Sequence, residues 1–128
     1  MANLKGYLKD SNNNKVYPDD YDTGWIKVTK FYNGAGHFAE ATSPVQYRRI
    51  GKIVYLNGLL SSGTQGVQFN LPEGFRPTSH YRCYILRDDS STIKGFVNYN
   101  SQNGDFYLEG STVGHEVALA PVSFIADA

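Results

Sequence analysis

VQYRRIGKIVYLNGLLSSGTQGVQFNLPEGFRP, residues 45–77, decides how this chain is read. Two blocks rich in Val, Ile, Leu, Tyr and Phe lie either side of a small-residue cluster, SSGTQG, and the second ends in a corner holding two prolines. β-Branched and aromatic residues suit pleated strands, and Gly, Ser and Pro clusters mark the joints between them. The same punctuation continues outward. GWIKV leads to FYNGAGH, HYRCYILR to DDSST, IKGFVNYN to SQNGD and FYLEG to STVGH, and EVALAPVSFIA closes the chain. No window carries a capped helical period. Strands at this spacing predict an all-β fold, an antiparallel sandwich or jelly-roll-like barrel.

The corner LPEGFRP, residues 71–77, reads as structural rather than catalytic. Pro72 and Pro77 fix φ and remove two donors, which confines them to strand ends or edges. Gly74 permits the turn, Phe75 supplies an apolar anchor, and Glu73 and Arg76 are placed to pair across the bend. IVYLNGLL, residues 53–60, alternates two sets that are both largely apolar: Ile53, Tyr55, Asn57, Leu59 and Val54, Leu56, Gly58, Leu60. Such a strand needs cover on two faces. A second subunit or a long loop of the same chain could supply it.

The 128 residues make one ordinary domain with room for a core. Residues 1–20 are polar and Asn-rich and read as a linker or stalk end, with a short hairpin of Tyr7–Leu8 against Val16–Tyr17. Residues 21–128 read as the β-rich domain itself. A linker at the start suggests a piece cut from a longer protein, with Met1-Ala2 a cloning remnant. The single cysteine, Cys83, excludes an internal disulfide and a Cys-based zinc site. The formal net charge is zero, which gives nucleic acid no electrostatic footprint. No apolar run spans a bilayer and no signal peptide is visible. No cofactor fingerprint occurs. Asp19, Asp20 and Asp22 lack an EF-hand pattern and read as a solvated turn, so no metal is expected.

Asn103-Gly104 suits a two-residue type I′ hairpin turn. That register sets Gln102 opposite Asp105, Asn100 opposite Tyr107 and Asn98 opposite Glu109. Val97, Tyr99, Phe106 and Leu108 then face the core, and Asn98, Asn100, Gln102, Asp105, Tyr107 and Glu109 face outward. An aromatic ring flanked by short amides and carboxylates suits a sugar, whose ring stacks while its hydroxyls hydrogen-bond. Candidate saccharide ligands are Tyr107, Asn98, Asn100 and Asp105, joined by Arg82 and Tyr84 if the preceding strand is a neighbour. The competing reading is a plain solvated sheet face. Asp105 and Glu109 lie about 13 Å apart along one strand, too far for a glycosidase pair. His37, His80 and His115 sit in no catalytic motif, and enzyme activity is not expected.

YRRIGKIVYLNGLL, followed by a Gly-rich turn and VQFNLPEGFRP, resembles the C-terminal region of tail-fibre and baseplate proteins of bacteriophages infecting Gram-positive bacteria. DTGWIKV, residues 22–28, and GYLKDSNNNKVYP, residues 6–18, resemble the segments preceding it. The likeness is strongest over residues 22–77 and its motifs are structural. It implies a head or shoulder domain of a homotrimeric receptor-binding protein at the virion's tail tip or baseplate, assembled in the host cytoplasm. Its partners would be a host cell-wall polysaccharide or teichoic acid and other tail proteins. The alternative it implies is a structural adaptor that docks another tail protein. No binding residue is carried over from it.

Overall fold

The computed structural model describes residues 8–9, 11, 15–16, 20–79, 81–86, 92–98, 104–109, 114–119 and 122–126. Among them every regular element is a strand and every pairing is antiparallel. β1 (Leu8–Lys9) pairs with β2 (Lys15–Val16), setting Leu8 opposite Val16 as the sequence led us to expect.

The other described strands form three sheets. The first runs in the order β13 (Ser123–Ile125), β6 (Ile53–Asn57), β5 (Gln46–Ile50), β3 (Ile26–Lys27). The second is β12 (Glu116–Ala118), β7 (Leu59–Ser61), β4 (Gly36–His37). The third is β8 (Gly66–Asn70), β11 (Asp105–Glu109), β10 (Thr92–Asn98), β9 (Tyr81–Leu86).

The run 45–60, strand-like throughout in sequence, forms three strands. Gly51, at φ +57°, turns β5 back onto β6 so that Ile50 faces Ile53. Gly58 then lets the chain leave one sheet for another. Its φ is +106°, and a Cβ there would lie 1.9 Å from the Pro44 carbonyl oxygen. Only glycine allows both that angle and that approach.

The core gathers one face from each sheet: Val54 and Leu56, Leu60 and Val117, Phe69, Phe106 and Leu108, with Val45, Leu71, Leu119 and Phe124. Phe69 and Phe106 stack at 4.8 Å, nearly parallel. Of the two apolar sets in 53–60, Val54, Leu56 and Leu60 are buried, whereas Tyr55 is 39% exposed. Ile53, Asn57 and Leu59 of the second set are half-buried.

LPEGFRP is a corner. The Phe75 N–H donates to the Pro72 carbonyl at 3.0 Å and Gly74 has φ +92°, the signature of a type II turn. Phe75 meets the Tyr47 ring edge-on at 4.8 Å, and Pro77 is buried in a bridge to Ala126. The Arg76 Nε–H donates to the Leu71 carbonyl at 3.0 Å.

Gln68 sits where β8 bulges against β11, with Phe69 opposite Phe106 and Val67 opposite Tyr107. It is fully buried and satisfied. Its Oε1 accepts from Gly63 N–H at 2.7 Å, and its Nε2 donates to Thr64 and Gly66 carbonyls.

Candidate functional site

The predicted polar face lies on the third sheet. Phe106 and Leu108 are fully buried, while Asp105, Tyr107 and Glu109 on alternate positions are half-buried. The inward–outward alternation expected for this strand therefore holds.

The expected turn does not. β10 meets β11 with Asn98 opposite Asp105, Phe96 opposite Tyr107 and Lys94 opposite Glu109. With Asn98 paired to Asp105, six residues separate the two positions, where a two-residue Asn103-Gly104 turn would have set Gln102 opposite Asp105; Tyr99, Asn100 and Gln102 lie outside the described residues. The reason is tertiary. Gly104 has the positive φ (+63°) a turn would need, but its carbonyl accepts from Leu71 N–H at 2.9 Å. A Cβ there would lie 2.5 Å from the Leu71 carbonyl oxygen. The glycine serves a close approach to the end of β8. The displacement is an even number of residues, which is why the faces survive it.

β9 is a neighbour of β10, and the register forms the rows Arg82–Phe96–Tyr107 and Tyr84–Lys94–Glu109. Arg82, Tyr84, Asn98, Asp105 and Tyr107 thus occupy one stretch of sheet. Asn100 falls outside the described residues. The Asn70 amide donates to the Asp105 carboxylate, extending the polar row onto β8.

Asn70 also lines a cleft of about 270 Å³ between the 72–77 corner and the segment after β3. Lys27, Lys30, Tyr32, Tyr47 and Arg76 complete its polar wall. Lys30 lies 5.2 Å from the centre of the Tyr32 ring, and Lys27 pairs with Glu40 at 3.3 Å on the surface. Burial pushes the Tyr47 phenol above its ordinary value, because the phenolate would lose water.

His37 braces the segment that forms this wall. Its Nδ1 accepts from Val45 N–H at 2.9 Å, so its Nε2 carries the proton and donates to the Val28 carbonyl at 2.8 Å. The Val28 N–H reaches the Val45 carbonyl at 2.9 Å, and Tyr32 N–H reaches the Gln68 carbonyl at 2.9 Å.

Sequence reading missed this cleft. Period-two alternation in WIKVTKFYN puts Lys27 and Lys30 on opposite faces, so no local signal groups them, and nothing local couples them to Asn70. The assembled surface combines phenols, amides and cations. That set can hold a hydroxyl-rich polymer through stacking and hydrogen bonds. Among the described residues, no group of three or more His, Cys, Asp or Glu side chains could hold a metal ion. Asp22, from the acidic turn, is instead committed to Arg48 and Gly24 N–H.

No known family profile matches this chain, and no curated protein matches it. A solved structure does. The receptor binding protein (gp15) of Listeria phage PSA superposes with a TM-score of 0.62 at 16% sequence identity, over 81% of this chain and 65% of that one. The chain thus spans just under two thirds of that protein, and what the two share is an all-β antiparallel fold.

Proposed function

We propose that this chain is a receptor-binding module of a phage tail that attaches the virion to a host cell-wall saccharide. The fold likeness to a phage receptor binding protein carries this reading. The polar stretch around Tyr107, Asp105 and Asn70, running into the Lys27–Tyr32–Tyr47 cleft, supports it chemically. In this reading the domain is non-enzymatic, sits at the tail tip and works as a homotrimer. A polysaccharide or a teichoic acid of the wall is its ligand. Each site binds weakly, and several sites on one virion raise effective concentration without new contacts.

The test is retention on purified wall material from candidate Gram-positive hosts. Tyr107→Ala and Lys30→Ala should each lower retention while leaving the thermal midpoint unchanged. Retention on no wall fraction, with capture of another tail protein instead, would move the domain to the adaptor role.

A further inference from the structure

We infer that a second saccharide site lies on the outer face of the first sheet, built for an uncharged glycan of about two linked rings. It goes beyond the Tyr107 surface, sharing with that reading only the class of ligand. Register places Arg48 opposite Tyr55 and Tyr55 opposite Ser123. The pairing of Ile26 with Tyr47, extended by one residue, brings Trp25 beside Arg48, whose guanidinium lies 5.7 Å from the indole centre. Trp25, Arg48, Tyr55 and Ser123 thus cross the sheet in one row. They line a groove of about 400 Å³ with Asn57 and Ile50.

Two aromatic residues are exposed on it, Trp25 at 42% and Tyr55 at 39%. They stand two strands apart, about 10 Å at ordinary sheet spacing. Isoleucines 50, 53 and 125 form the adjoining row on one side, and Gln46 and Asn57 the row on the other. An apolar strip, an aromatic strip and an amide strip match a sugar ring, which has a C–H face and hydroxyl edges.

The hydrogen-bond inventory separates a sugar from an apolar protein surface. Arg48 spends its Nε–H and one Nη2–H on Asp22. Asn57 spends its Oδ1 on Gly58 N–H. Among the described residues, the other Arg48 N–H groups, the Asn57 amide N–H groups and the Tyr55 and Ser123 hydroxyls have no protein partner. An apolar cover, such as the same isoleucines of a second copy, would strand these donors. A ligand with hydroxyls would satisfy them. Asp22 neutralises Arg48, so the groove offers no unbalanced charge and favours a neutral ligand over an anionic one.

Trp25 is the only tryptophan, so its emission reports this groove alone. The experiment titrates the full chain with N,N′-diacetylchitobiose, cellobiose, maltose and lactose, with glucose 1-phosphate as the anionic comparison, and records the emission maximum. A saturable blue shift with at least one neutral disaccharide is expected. Tyr55→Ala should weaken it roughly tenfold and Ser123→Ala roughly fivefold, at unchanged thermal midpoints. Tyr107→Ala should leave it intact even where that variant loses wall retention, which separates the two sites. No response to any neutral sugar, or a stronger response to glucose 1-phosphate, overturns the inference. So does an emission maximum that moves on dilution as light scattering shows dissociation, since the face is then a contact between copies.

Discussion

The guanidinium of Arg49 donates through Nη1 to the carbonyl of Gly74 at 2.6 Å, joining the β5–β6 hairpin to the LPEGFRP corner from inside the protein. Its Nε donates to the Gly51 carbonyl at 2.9 Å, and the residue is only 2% exposed. One buried cation therefore serves two turns far apart in sequence. Arg49→Met keeps length but leaves both carbonyls unpaired, and should lower unfolding free energy by about 2–4 kcal/mol. Urea denaturation measures this; a midpoint within error of the parent would show that the corner holds without the arginine.

Three glycines form a graded series. Gly36 has ordinary φ and open space around it, so Gly36→Ala should change stability by less than about 0.5 kcal/mol. Gly114 also has open space but sits at φ +89°, and Gly114→Ala should cost about 1 kcal/mol in strain. Gly58 has both the positive φ and the Pro44 carbonyl in the way, and its alanine variant should lose more than about 3 kcal/mol or fail to accumulate as folded protein. Thermal midpoints of the three, measured together, check the order.

Alkaline sensitivity follows from Tyr47. Its folded-state value is raised by burial, while the unfolded chain titrates near the ordinary phenol value of about 10. Below that pH both states are protonated and the contribution is whole. Above it the unfolded state ionises first, so stability falls as pH rises through the raised value. Tyr47→Phe should flatten this part of the pH–stability curve while leaving the neutral region nearly unchanged. A slope identical to the parent's above pH of about 10 would exclude the effect.

Gln68→Leu removes three hydrogen bonds inside the SSGTQG loop without much change in volume. Gly63 N–H loses the Gln68 Oε1 acceptor it reaches at 2.7 Å. We expect about 2 kcal/mol lower stability and faster amide exchange at Gly63 than in the parent. Unchanged exchange there would mean that the loop is held by Asn33, whose carbonyl accepts from Thr64 N–H at 3.0 Å.

Local physics made the strands, the 72–77 corner and the inward side of β11 legible. Proline, glycine and period-two alternation act within a few residues, and Phe106 and Leu108 lie where that alternation puts them. The β10–β11 register was not legible, because Gly104 answers to Leu71, a residue far away in sequence. The same holds for the break at Gly58, dictated by Pro44. Of the candidate site, the sequence shows Tyr107 beside Asp105, but the amide that completes that carboxylate comes from Asn70 on another strand. Trp25, Arg48 and Tyr55 lie in three separate segments, and only sheet pairing assembles them.

The passage of backbone through Gly58 has a mechanical consequence. β6 and β7 belong to different sheets, with that one residue between them. The two layers are thus tethered covalently with almost no slack. Sliding one sheet across the other under an applied load would require unzipping hydrogen-bond ladders rather than merely parting greasy surfaces.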